Sequence, residues 1–134
     1  MMNRLKILPA LMLFLPVALF AQNKAVPYAV VNAFSRGDAS ALSQFFNNRL
    51  ELVILDKEDV YSKVQAEMII KSFFNENKPE GFRIIHQGGR ADAKYAIGLY
   101  RSSGKVFRIY LLLKPVNNQP KIHQLRIEKE NGSS

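Results

Sequence analysis

The 134-residue chain has no cysteine, no tryptophan and only two histidines, His86 and His123. Without cysteine it forms no disulfide and offers no N-terminal Cys for lipid attachment, so an exported form must be held together by packing alone. Two histidines leave a zinc-type centre short of a third ligand, which no spacing supplies. No cofactor-binding motif is present, and neither a metal nor a cofactor is expected. Blocks of like charge are also missing. The 19 Lys and Arg residues outnumber the 11 acids, giving a net charge of +8, but they are dispersed among apolar residues in the manner of a solvated face. No internal repeat and no low-complexity tract breaks the chain.

The N-terminus carries a targeting pattern. Arg4 and Lys6 precede an apolar core, Ile7 to Phe20, interrupted by Pro9 and Pro16, and Ala21 is a small residue at a plausible cut. That is the layout of a secretory signal peptide over 1–21. The apolar core is shorter than the roughly 20 residues a spanning helix needs, and no later segment is long and uncharged enough to cross a bilayer. The mature chain is therefore expected to be periplasmic or secreted and not membrane-spanning. It keeps a clear excess of basic residues after Arg4 and Lys6 are removed. Export disfavours nucleic acid as a partner, whereas acidic glycans, lipid headgroups or an acidic protein remain open.

The expected layout downstream is a single domain over 22–130, with a disordered tail at 131–134. Val26, Val30 and Phe34 fall at helical spacing, with Pro27 tolerated in the first turn. Gly37 suits a left-handed cap and Asp38 the N-cap of a second helix, Ala39 to about Asn47. Arg49 to Leu55 reads as a strand, Asp56 to Asp59 as a charged turn, and Val60-Tyr61 as a short return strand. Ser62 and Gln65 form a capping-box pattern that opens a third helix ending near Asn75. Its apolar stripe is Met68, Ile69, Ile70, Phe73 and Phe74.

Phe82 to Lys129 then holds four segments rich in β-branched and aromatic residues, separated by turn residues, which read as one antiparallel sheet. A turn at Ser103-Gly104 opposes Arg101 to Val106 and Tyr100 to Phe107. Alternation puts Ala96, Gly98, Tyr100, Phe107, Ile109, Leu111 and Leu113 on one face. For the last connection, a five-residue loop, Val116 to Pro120, brings His123, Leu125 and Ile127 onto that face; an Asn117-Asn118 turn would bring Gln124 and Arg126 instead. Burial favours the longer loop. Gly88-Gly89 signals a bulge or bend.

The run Ala33-Phe34-Ser35-Arg36-Gly37-Asp38-Ala39-Ser40-Ala41-Leu42, set in the order helix, helix, strand, helix and curved strands, resembles the nuclear transport factor 2-like superfamily, the cystatin-like α+β cone. The whole chain is similar to its small exported bacterial domain-of-unknown-function members. The resemblance implies an α+β fold with N-terminal helices packed on a strongly curved antiparallel sheet, a cone-shaped pocket, and often a dimer through the outer sheet face. The isomerases of this superfamily use a Tyr, a protonated Asp and an Asp base, a trio with no counterpart here because the strands carry no inward carboxylate.

Tyr28, His86, Tyr100 and His123 are the residues that can line such a pocket. Ile97, Leu99, Tyr110 and Leu112, rimmed by Arg101, Arg108 and Arg126, make the opposite face amphipathic, as interfaces are. Arg36-Gly37-Asp38 spells an adhesion tripeptide, but a helical corner with an N-capping Asp already accounts for it. The sequence thus favours a non-catalytic module that binds a small apolar molecule or peptide. A small isomerase or hydratase with His86 or His123 as base is the alternative, and a structural subunit or homodimer acting through the outer face is another.

Overall fold

The structure, a computed structural model, describes residues 25–130. The signal peptide expected at 1–21 and the tail expected at 131–134 lie outside the described residues. The elements run α1 (Tyr28–Arg36), α2 (Ala39–Ser43), β1 (Phe46–Ile54), β2 (Lys57–Ser62), α3 (Lys63–Glu76), β3 (Gly81–Arg90), β4 (Ala93–Ser102), β5 (Lys105–Val116) and β6 (Gln119–Lys129). All strands join one curved, unclosed sheet in the order β2-β1-β6-β5-β4-β3. The helices pack on its inner face around one apolar core.

Local signals explain the helical half. Gly37 takes a left-handed conformation (φ 64°) and closes α1, while the Asp38 carboxylate accepts a hydrogen bond from the Ala41 N–H at 2.9 Å. Ser62 and Gln65 form the reciprocal capping box that starts α3. That helix buries Ala66, Ile70, Phe73 and Phe74, whereas Met68, expected in the stripe, faces solvent.

Elsewhere tertiary pairing overrides local preference. Helix α2 ends at Ser43 rather than Asn47, because the Ile122 N–H takes the Phe45 carbonyl and Phe46 pairs with Ile122 in β6. The resulting β1–β6 pairing is parallel in an otherwise antiparallel sheet. The turn expected over Asp56 to Asp59 is a tighter one at Leu55-Asp56. The charged residues Lys57, Glu58 and Asp59 extend β2, whose exposed charges protect a free sheet edge.

The register of β4 and β5 is the expected one, with Tyr100 opposite Phe107 and Gly98 opposite Ile109. Between β5 and β6 the connection is the two-residue turn Asn117-Asn118, both with positive φ, instead of the five-residue loop. Leu125 and Ile127 still reach the core, because the pairing shifts between Leu112 and Leu113 and a bulge at His123 restores the phase. In β3 the irregularity lies between Ile84 and His86, upstream of the expected Gly88-Gly89. Each bulge inserts one extra residue and exchanges faces beyond it.

Candidate functional site

The interior of the cone is filled. Phe73 lies edge-on to Phe107 with centroids 5.1 Å apart and is 5.5 Å from the Tyr100 ring. Phe34 stacks on Phe82 at 4.7 Å and meets Phe74 edge-on at 6.0 Å. These rings close the deep end of the cone, and offset and edge-on pairings stabilise such clusters beyond the area they bury.

Open space remains at the mouth. A groove of about 300 Å³ lies between α3 and the β1–β2 hairpin, at the small end of the range for ligand sites. Its apolar wall is Leu52, Ile54, Tyr61, Ile69 and Phe73, and its rim carries Lys57, Ser72, Glu76 and Asn77. Ile69 and Phe73 are one helical turn apart on α3, and Leu52 and Ile54 share a face of β1, so both elements turn an apolar stripe toward the same space.

The four residues expected in a pocket are not brought together. Tyr28 is exposed on the first turn of α1, beside a separate cleft. Tyr100 is fully buried, and its hydroxyl donates to the carbonyl of Asn77, the C-cap of α3. Burial pushes its phenol well above the usual range, so it stays protonated. It is a tether between sheet and helix.

His86, expected beside Phe82 and Ile84 in the cone, pairs with Ile97 on the outer face, because the bulge before it reverses its direction. His123 occupies the second bulge, next to Gln124, which pairs with Leu112 of the outer face. Its ring is half-buried, with Nε2 lacking a hydrogen-bond partner among the described residues. Burial first, and then the Lys114 charge, hold its imidazole below the ordinary value against a backbone hydrogen bond that raises it. The fold therefore favours the neutral ring.

The expected interface residues do share one face. Ile97, Tyr110 and Arg126 form a row across β4, β5 and β6, and Leu99 and Arg108 lie opposite each other in a parallel row. Leu112 and Arg101 follow at alternate positions on their strands. Tyr95 stacks on Tyr110 at 6.5 Å, and Arg126 pairs with Glu128 at 3.1 Å.

The groove went unread in the sequence, although Leu52 with Ile54 and Ile69 with Phe73 carried its signal. A buried Ser43, whose hydroxyl bonds the Glu67 carboxylate and ties α2 to α3, left no such trace. Among the described residues no group of three or more His, Cys, Asp or Glu side chains could hold a metal ion. No helix among them is long and apolar enough to cross a membrane.

The family model "Domain of unknown function (DUF4783)" matches residues 28–128. A DUF4783 family protein from Bacteroides ovatus is 35% identical, with 81% of this chain and 98% of that one covered and a TM-score of 0.77. A second, from Bacteroides uniformis, is 31% identical over 80% and 99% of the two chains, with a TM-score of 0.76. At the level of fold alone, an NTF-2 like protein of unknown function from Silicibacter pomeroyi is similar, at 15% identity, 77% and 88% coverage and a TM-score of 0.59. A comparison with curated proteins finds no match.

Proposed function

This chain belongs to the DUF4783 family, and we propose that it acts as an exported, non-catalytic binding module that holds a small apolar molecule, or an apolar side chain of a peptide, in its mouth groove. The observation that carries this reading is the apolar wall of Leu52, Ile54, Tyr61, Ile69 and Phe73 around about 300 Å³ of open space. The aromatic cluster packs behind Phe73 on the floor of this space, and ligand sites are usually largely preformed. The histidines support the non-catalytic part, since His86 and His123 lie on or beside the outer face and do not look into the groove. The signal-peptide pattern over 1–21 supports export.

A second reading rests on a separate observation, the half-buried apolar strip of Ile97, Leu99, Tyr110 and Leu112 rimmed by arginine. An apolar centre with a polar rim is the anatomy of an interface, and the chain is proposed to form a homodimer through it.

Native mass spectrometry of the protein purified from its host tests both readings. The expected result is a chain that begins at Gln22 and carries a small molecule that Ile69→Trp, which fills the groove, displaces. An intact Met1 contradicts export, and an empty chain, or equal loading of the Trp variant, contradicts groove binding. A monomer mass at all concentrations contradicts the second reading.

A further inference from the structure

One end of the sheet is basic and apolar. Arg90 closes β3, Lys94 lies near the start of β4, Lys114 near the end of β5 and Lys121 near the start of β6. The pairings Gly89 with Lys94, Lys94 with Leu113, and Lys114 with Lys121 place these strand ends side by side. Asp92, in the turn between β3 and β4, is the acid of this end. The ion pairs among the described residues, Arg108 with Glu130 and Arg126 with Glu128, lie toward the other end. Lys114 lies opposite Lys121 across the β5–β6 pairing, and the Lys121 ammonium donates to the Gln44 carbonyl at 2.9 Å. Among the described residues none of these four cations is in an ion pair.

Apolar groups accompany these charges. Tyr28 is 75% exposed and Val116 37% exposed. A cleft of about 290 Å³ runs between Lys94 and Lys114, walled by Leu113, Pro115 and Pro120, and no carboxylate lines it. Ala25 belongs to the same cleft, with its N–H held by the Gln87 side chain at 3.1 Å. The chain that follows the expected cut after Ala21 therefore enters the domain at this end.

We propose that this end docks on an anionic lipid surface, the lysines and Arg90 meeting headgroup phosphates while Tyr28 and Val116 enter the interface. Juxtamembrane cations are attracted to anionic leaflets by about 1 kcal/mol each, and amphipathic aromatic rings settle at headgroup level. The placement relative to the bilayer rests on the export reading; the charge and apolar arguments do not.

The test is cosedimentation of the protein recovered from cells, its N-terminus defined by intact mass, with vesicles of phosphatidylcholine alone or mixed with phosphatidylglycerol. Binding is expected only to the mixed vesicles, weakening as salt is added. The variant Lys94→Gln/Lys114→Gln is expected to bind about thirtyfold more weakly, two cations' worth of attraction, with an unchanged melting temperature. A variant that binds like the parent, or a parent that ignores mixed vesicles, overturns the proposal. Full competition by inorganic phosphate also overturns it, in favour of a soluble anion. A chain that retains Met1 removes the export reading alone, since the parent-to-variant ratio still measures the basic end.

Discussion

Phe73→Ala is expected to lower the unfolding free energy by about 3–5 kcal/mol, the range for removing a large buried ring. Phe73 stands where α3, β4 and β5 meet, touching the rings of Phe74, Tyr100 and Phe107. Truncation therefore leaves a cavity that three neighbouring rings cannot all move to fill. A domain of this size loses about 4–8 °C in Tm per kcal/mol, so thermal unfolding followed by circular dichroism reads the effect directly. The same change removes part of the groove floor, and the variant should accept bulkier apolar probes than the parent. A loss below about 1 kcal/mol, the scale of an ordinary surface change, would mean that the aromatic cluster does not close the cone.

The second large effect is expected at Gly98. A Cβ there would lie 2.5 Å from two atoms of the Phe82 ring and 3.1 Å from the Arg83 carbonyl oxygen. Phe82 cannot retreat inward, because Phe34 stacks on it at 4.7 Å. Gly98→Ala should therefore destabilise the fold by about 1–3 kcal/mol through overpacking. Phe82→Ala should be destabilising on its own, but the double variant should fall short of the sum of the two, because the second change removes what the first collides with. Urea titrations of the four proteins yield that coupling energy, and additive losses would contradict the contact. The bare strand position lets a ring from β3 lie across β4, which brings the edge strand over the core and under α1.

What the sequence made legible was local. The Gly37-Asp38 corner, the Ser62–Gln65 capping box and the Ser103-Gly104 hairpin each depend on residues within a few positions of one another, and each stands as expected. The pairing of β1 with β6 joins residues some 70 positions apart, such as Leu52 with Leu125, and no short-range pattern reports it. That pairing also converts the expected end of the second helix into strand. The bulges carry no residue signature, yet they decide where both histidines point: His86 follows Phe82 and Ile84 in strict alternation until one extra residue turns it outward. Leu125 and Ile127 reach the expected face through a different turn, because the Asn117-Asn118 turn and the His123 bulge offset each other. The groove stayed hidden for a related reason. One of its walls is a hairpin whose charged half, Lys57 to Asp59, looks like a loop in the sequence.

The central claim is that the cone is closed behind Phe73 and open in front of it, and that the open part binds apolar ligands. Chemical-shift mapping with phenylnaphthylamine, an uncharged apolar probe, tests it most directly. The account predicts saturable perturbations centred on Leu52, Tyr61, Ile69 and Phe73, with Phe34 and Phe82 undisturbed and the response lost in Ile69→Trp. Perturbations centred instead on Ile97 and Tyr110, or no saturable response at the groove, would contradict it.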